Sequence, residues 1–398
     1  MKQPLDGVRV LDLSRMLTGG YATMVLGDLG AEIIKIEPPA GGDPLRAMPP
    51  HFDRGESAYF LAISRNKKSL TLDLRTDEGR ALLHRLVPLA DVVFDNFRPG
   101  VLQRLGADYL TLRDLHPGIV CCSNSTYGHT GPLRDGPGFD LVVQALSGMM
   151  SYTGEPGRPP VRMGAPMGDL AGSLFATTAI SAALHARDQT GEGRQIDLSL
   201  LDCLVSLHTY VSQYYWVGGE RPTPAGSGHM SVVPYRAYPT ADGYLTIAVF
   251  VDKFWGLLCR VLDEPALGAD PRYATTAARL ERRTEVDGLL TERFASRTTA
   301  AWMALLEEAG VPAAPVLGVD EVLTHPQLVS RDMIVQVDHP SGQPPSLPMI
   351  GNPVRQPDVD HQPYAPAPRL GQHTAGLLSE LLGLAEPDLA ALRARKII

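Results

Sequence analysis

Val8-Arg9-Val10-Leu11-Asp12-Leu13 is a short β-rich run, and Glu32-Ile33-Ile34-Lys35-Ile36-Glu37 is a second. Between them the chain passes Gly19-Gly20, carries a helical apolar period to Leu29 and breaks at Gly30, which predicts a βαβ unit. Pro38 to Pro44 can extend neither element and reads as a surface loop. The alternation then repeats. Ser69 to Leu74 reads as a strand, Thr76 caps a helix through Val87, and Asp91 to Asp95 and Ile119 to Ser123 read as further strands. A parallel sheet covered by helices, an α/β fold, is the economical inference.

Gly138-Phe139-Asp140 opens a helical pattern through Met150, and Leu170 to Leu184 is an apolar periodic segment. Gln195 to Ser199 reads as a strand, followed by a helix to about Trp216. The turn-rich run 218–228 is the best candidate linker. Tyr244 to Val249 and the helical patterns over 252–310 suggest a smaller α+β domain at 225–325. The expected division is therefore a large domain from 1–217, the linker, the small domain, and a return of 326–398 to the large one. In that return Met333 to Val337 is strand-like, 340–368 is proline-rich connecting chain, and helices are expected at 373–383 and 387–395.

With 398 residues and 44% hydrophobic content the chain can bury two cores. Its net charge of -8 argues against broad attraction to nucleic acid or an anionic membrane, so an anionic ligand needs a local basic pocket. Cys121, Cys122, Cys203 and Cys259 form no CxxC pair, which speaks against a disulfide framework or zinc site and suits a reducing cytoplasm. No apolar leader or membrane-length span is read, and no metal cluster.

The candidate chemistry centres on Gly164-Ala165-Pro166-Met167-Gly168-Asp169-Leu170-Ala171-Gly172. One acid stands among small residues before an apolar helix, where orphan N–H groups and the dipole would hold it ionised and exposed. It is a nucleophile or an N-cap worth about 1 kcal/mol, and the stretch alone leaves both open. Asn96-Phe97-Arg98-Pro99-Gly100 follows a strand's carboxyl end, where ligands bind in open α/β sheets. Arg65, Lys67, Lys68, Arg75, Arg98 and Arg104 are each surface charges or, if they converge on one sheet edge, a polyphosphate or carboxylate site. The turn after the first strand lacks GxGxxG, so a nicotinamide site is not indicated. His129 is a general base or a hydrogen-bonded turn residue.

Taken together, Leu5 to Leu13, Leu26 to Glu32, Arg65 to Ser69, Asn96 to Gly100, Gly138 to Asp140, the Asp169 stretch and Leu370-Gly371-Gln372-His373 resemble the family III CoA-transferases. The resemblance implies a Rossmann-like large domain, a small domain and two subunits threaded as interlocked rings. It makes Asp169 the nucleophile. It lines a CoA site with Arg15, Met16, Leu17, Leu72, Arg75, Asn96, Phe97, Arg98, Arg104, Pro137, Phe139 and Asp140. Pro38 and Pro137 stand where formyl-CoA transferase has cations, so contacts there are expected to differ. The loop 226–235 resembles that of members using succinyl-CoA and dicarboxylic acids, with Arg46, His229 and Arg236 as candidates for the second carboxylate.

The chemistry so implied is CoA transfer from a short acyl-CoA, succinyl-CoA foremost, to a small carboxylic acid. It passes through an aspartyl anhydride and an aspartyl-CoA thioester, with CoA thioesters as substrates and no permanently bound cofactor. Backbone N–H groups near Gly168 or in 226–228 would form an oxyanion hole. Two alternatives stand beside it. An α-methylacyl-CoA racemase would need a partner base where this chain has Phe139, and a non-catalytic acyl-CoA-binding protein would not need Asp169.

Overall fold

A computed structural model of the chain describes residues 1–341, 346–359 and 363–398. It divides into two compact units, one of Met1–Met149, Arg162–Gln213 and Val329–Ile398, the other of Met150–Val161 and Tyr214–Leu328. The run 218–228, expected as a linker, lies wholly within the second unit. There the Gly226 N–H donates to Gly154 O at 2.8 Å and the Gly228 N–H to Ala225 O at 2.9 Å.

The first unit is built on six strands, β1 (Arg9–Asp12), β2 (Glu32–Glu37), β3 (Lys67–Thr71), β4 (Val92–Asp95), β5 (Val120–Ser125) and β6 (Gln195–Ser199). Their order is β3-β2-β1-β4-β5-β6 and every pairing is parallel. Strand order thus reverses between β1 and β4, the Rossmann-like switch point at which a crevice opens beyond the carboxyl ends. Apolar layers cover both faces. One holds Leu11, Ile34, Leu70, Val93 and the C-terminal Leu377, Leu378, Leu389 and Leu392, so the helices Thr374–Leu382 and Glu386–Ala394 belong to this core. The other holds Val10, Ile33, Val92 and Val120 against Ala22, Leu26, Ala176 and Ile180.

Four helices of this unit bear on the site: α1 (Met16–Asp28), α2 (Ala58–Ile63), α3 (Asp140–Leu146) and α4 (Met167–Thr190). By length and composition alone α4 is long and apolar enough to cross a membrane. Half of its apolar stretch is buried, and Ala176, Ile180, Ala183 and Leu184 pack on the sheet core, which accounts for its composition. The proline-rich segment is also more ordered than expected. Leu347–Ile350 pairs antiparallel with Ile334–Val337, while 342–345 and 360–362 lie outside the described residues.

In the second unit β7 (Tyr235–Pro239), β8 (Tyr244–Ala248) and β9 (Ala313–Pro315) form an antiparallel sheet with β8 central. Tyr238, Leu245, Ile247, Trp255, Phe294 and Trp302 make its core.

Candidate active site

Helix α4 begins after Pro166, and Asp169 is its third residue. The cap comes from elsewhere. Asp140, the first residue of α3, accepts from the Gly168 N–H at 2.7 Å and from the Asp169 N–H at 3.4 Å through Oδ1. A Cβ on Gly168 would meet that same oxygen at 3.0 Å and Val143 at 2.8 Å, so the glycine admits the capping acid rather than a substrate atom. Two expectations are corrected here. Asp169 does not cap its own helix, and the Gly168 N–H is already engaged.

Freed from capping, the Asp169 carboxylate accepts from Thr18 Oγ1 at 2.6 Å through Oδ1. Asp169 is half-buried rather than exposed. Burial pushes its pKa up to about 6; the Thr18 hydrogen bond opposes this and the charge of Asp140 adds to it. The helix end therefore does not dominate, since its orphan donors face Asp140. Burial and the charges of Asp169 and Asp140 also push the Tyr59 phenol up.

Thr18 is delivered by a tightly held turn at the switch point. Ser14 N–H and Oγ donate to Asp12 Oδ1 at 2.9 and 2.5 Å, and Ser14 O accepts from Lys35 Nζ at 2.9 Å. Asn96 closes the next peptide unit, accepting from Arg15 N–H at 2.9 Å and donating to Arg15 O at 2.7 Å. Met16 N–H donates to Asp43 Oδ1 at 3.2 Å, and Asp43 Oδ2 pairs with Lys35 at 2.8 Å. Met16 has φ +62°, a left-handed conformation that costs a non-glycine residue about 1 kcal/mol or more, and this cage sustains it.

Beyond this turn a cleft of about 440 Å³ is lined by Arg15, Pro38, Leu72, Asp73, Arg75 and Phe97 among others. It brings together Arg15, Leu72, Arg75 and Phe97 of the expected CoA positions. The Arg15 guanidinium lies 5.3 Å from the Phe97 ring centre, and Arg75 is clamped by Asp73 at the rim. Pro38 adds an apolar wall. Arg98 borders a separate, smaller cavity with Asp95, Ser123 and His129, and Arg104 ends the short helix Val101–Arg104. Leu17 is buried in an apolar cluster, whereas Pro137 and Phe139 are exposed.

The basic cluster before β3 does not converge on a ligand. Arg65 is buried against Asp28, Lys67 against Asp12, and Lys68 pairs with Glu32. These residues mark the amino end of β3, opposite the crevice. Arg46 is likewise spoken for. Its guanidinium grips both oxygens of Glu37 at 2.8 Å and stacks 3.9 Å from the Phe60 ring, with its side chain 8% exposed. A carboxylate of substrate would have to displace Glu37 from that buried pair, so Arg46 is structural. His129 donates its N–H to Asp197, and no described hydrogen bond links it to Asp169.

In the second unit His229 accepts from the Ser231 N–H through Nδ1 at 3.1 Å, and burial with Arg283 nearby lowers its pKa. Arg236 pairs with Asp287 at 3.1 Å and shares a groove of about 760 Å³ with Arg221 and Arg283. In 226–228 the Gly226 and Gly228 N–H groups are both bonded internally. No group of three or more His, Cys, Asp or Glu among the described residues is arranged to hold a metal ion. Thr18 and Tyr59 are the site residues the sequence reading missed. Thr18 directly follows the Arg15-Met16-Leu17 run, which was the available signal; nothing in the sequence singled out Tyr59.

A family model described as CoA-transferase family III matches residues 5–374. The chain is 38% identical over 396 residues to succinyl-CoA:glutarate CoA-transferase of Mus musculus, covering 100% of this chain and 90% of that one. It is 37% identical over 403 residues to succinyl-CoA--D-citramalate CoA-transferase of Chloroflexus aurantiacus, covering 100% and 98%. A crystal structure of a CAIB/BAIF family protein from Brucella suis superposes with a TM-score of 0.85 at 37% identity, covering 96% of this chain and all of that one.

Proposed function

The chain belongs to CoA-transferase family III and is an enzyme of that class, and from this premise we propose that it transfers CoA from succinyl-CoA to a small dicarboxylic acid with Asp169 as nucleophile. The dicarboxylate is supported by the named activities of the glutarate and D-citramalate enzymes. The observation that carries the role of Asp169 is its carboxylate at the switch-point crevice, uncommitted to capping and held by one hydroxyl. A carboxyl group with a pKa of about 6 is ionised roughly ten to one at pH 7, yet more basic than a free aspartate, a combination suited to nucleophilic attack.

One carboxylate oxygen attacks the donor thioester carbonyl, and the C–S bond breaks to give a mixed anhydride and CoA thiolate. The thiolate attacks the Asp169 carbonyl carbon, forming an aspartyl-CoA thioester and releasing the donor acid as a carboxylate. The acceptor carboxylate then repeats both steps in reverse. Each intermediate conserves the thioester's free energy, so no outside energy source enters. Arg15, Arg75 and Phe97 hold the CoA moiety, Phe97 offering a face for its adenine and the arginines donors for phosphate.

The active form is a homodimer with interlocked subunits. In support, Phe139 at the start of α3, Leu141, Val142 and Leu146 on α3, and Leu174 and Phe175 on α4 are large apolar side chains left exposed. Four buried, unpaired cysteines fit a reducing cytoplasm. A donor and acceptor screen tests the assignment. Succinyl-CoA with glutarate-like acids should give the corresponding acyl-CoA, and turnover confined to monocarboxylates would refute the dicarboxylate assignment.

A further inference from the structure

Threonines inside helices commonly return their hydroxyl proton to the carbonyl four residues back. In α4 Thr177, Thr178 and Thr190 do so, donating to Ser173 O, Leu174 O and Ala186 O at 2.9 to 3.0 Å. Thr18, third in α1, does not. The carbonyl four residues before it belongs to Ser14 and is occupied by Lys35 Nζ. Thr18 Oγ1 instead reaches across to Asp169 Oδ1 at 2.6 Å, and Ser173 Oγ lies 2.7 Å from both Thr18 O and Asp169 O, tying the two helices at this point. Thr18 is 4% exposed, so water does not compete readily for its proton.

We propose that Thr18 is a catalytic residue, the hydrogen-bond donor that stabilises the oxyanion formed whenever the carbonyl carbon of Asp169 itself is attacked. The inference rests on the covalent reading given above and adds a division of labour to it. The carboxylate oxygen that attacks the donor is Oδ2, because Oδ1 carries the Thr18 hydrogen bond. Once Oδ2 is acylated, Oδ1 becomes the carbonyl oxygen of the anhydride. When the CoA thiolate adds to that carbon, the electron pair of the C=O bond moves onto Oδ1. The Thr18 O–H bond shortens its contact with this oxyanion without giving up the proton. Collapse re-forms the carbonyl, breaks the C–O bond to Oδ2 and expels the donor carboxylate. The same donor serves when the acceptor carboxylate attacks the aspartyl-CoA thioester and thiolate departs. The other two steps place their oxyanion on the substrate carbonyl, out of the reach of this hydroxyl. The Gly168 N–H cannot share the task, since Asp140 holds it.

The caged turn explains how the hydroxyl stays aimed. Ser14 N–H and O, Arg15 N–H and O, and Met16 N–H are all bound by side chains, which leaves the start of α1 little freedom. A donor fixed before the reaction needs no reorganisation when charge develops.

The test mixes the full-length enzyme with succinyl-CoA alone, so that no acceptor attack consumes the CoA adduct, quenches it in acid within the first turnover and reads the intact protein by mass spectrometry; kcat is measured separately with acceptor present. Thr18→Val should lower kcat by about 100-fold. It should also shift the trapped protein from the CoA adduct toward the succinyl adduct, because only attack at the Asp169 carbonyl is slowed. Thr18→Ser should restore both kcat and the adduct distribution. Thr18→Ala replaces the valine variant if that one does not fold. An unchanged adduct distribution in a folded Thr18→Val protein would overturn the role of Thr18, since a hydroxyl that merely holds the side chain slows every step alike. Absence of any adduct in the unsubstituted protein would instead overturn the covalent reading.

Discussion

Thr18 Oγ1 donates to Asp169 Oδ1 at 2.6 Å, and each residue is the third of its own helix. Two helix starts thus meet at Asp169, one supplying the carboxylate and the other its hydrogen bond. The arrangement needs a third party, Asp140, to satisfy the N–H groups of α4 so that Asp169 is left free.

The pH dependence follows from the carboxyl pKa of about 6. Only the ionised form attacks, so kcat/KM should rise with pH through about 6 and level off above it. Asp140→Asn keeps an oxygen to cap Gly168 but removes a charge that raises the Asp169 pKa. The acid limb should move down by about half a pH unit. A profile measured between pH 4.5 and 8 checks this, and an upward move would contradict the assignment.

Asp169→Asn should abolish transfer while stabilising the fold. A carboxyl whose folded pKa exceeds its unfolded one binds its proton more tightly when native, so stability is lost as pH rises from about 4 to 6 and stays lost above. Replacing it should return up to about 3 kcal/mol at pH 7.5 and nothing below pH 4. Urea unfolding at the two pH values measures the difference.

Arg46→Ala should behave as a stability variant. Removing one member of its buried pair with Glu37 should cost about 3–5 kcal/mol in urea unfolding. The acceptor KM of the folded protein should stay within about twofold of the parent. A tenfold rise in that KM with stability unchanged would return Arg46 to the substrate.

How much of this was legible beforehand depended on range. The βαβ alternation, with β2 and β4 of the sheet written around the apolar runs Ile33-Ile34 and Val92-Val93-Phe94, is a local signal, and it foretold a parallel sheet and the place of Asn96 beyond a strand end, while Arg15 was named only through the family resemblance. Asp169 stood out because an acid among glycines is rare in composition. The errors about the charged residues of the site were non-local. Arg65 and Lys67 look like surface cations until Asp28 and Asp12 are folded against them, and Arg46 looks available until Glu37 is seen. Likewise, the cap of α4 comes from Asp140, 28 residues before Gly168. No helix-start rule applied to the sequence around 169 would find it.

The exposed apolar residues of α3 and α4 predict self-association. Leu141→Glu combined with Leu174→Glu should convert a dimer to monomer in sedimentation velocity and remove most activity. A parent protein that sediments as a monomer at micromolar concentration would contradict the homodimer.

The most direct measurement traps the working enzyme with hydroxylamine or borohydride in the presence of succinyl-CoA and maps the product by peptide mass spectrometry. The account predicts a modified Asp169, dependent on acyl-CoA and absent from Asp169→Asn. Modification at another residue, or none during active exchange, would contradict it.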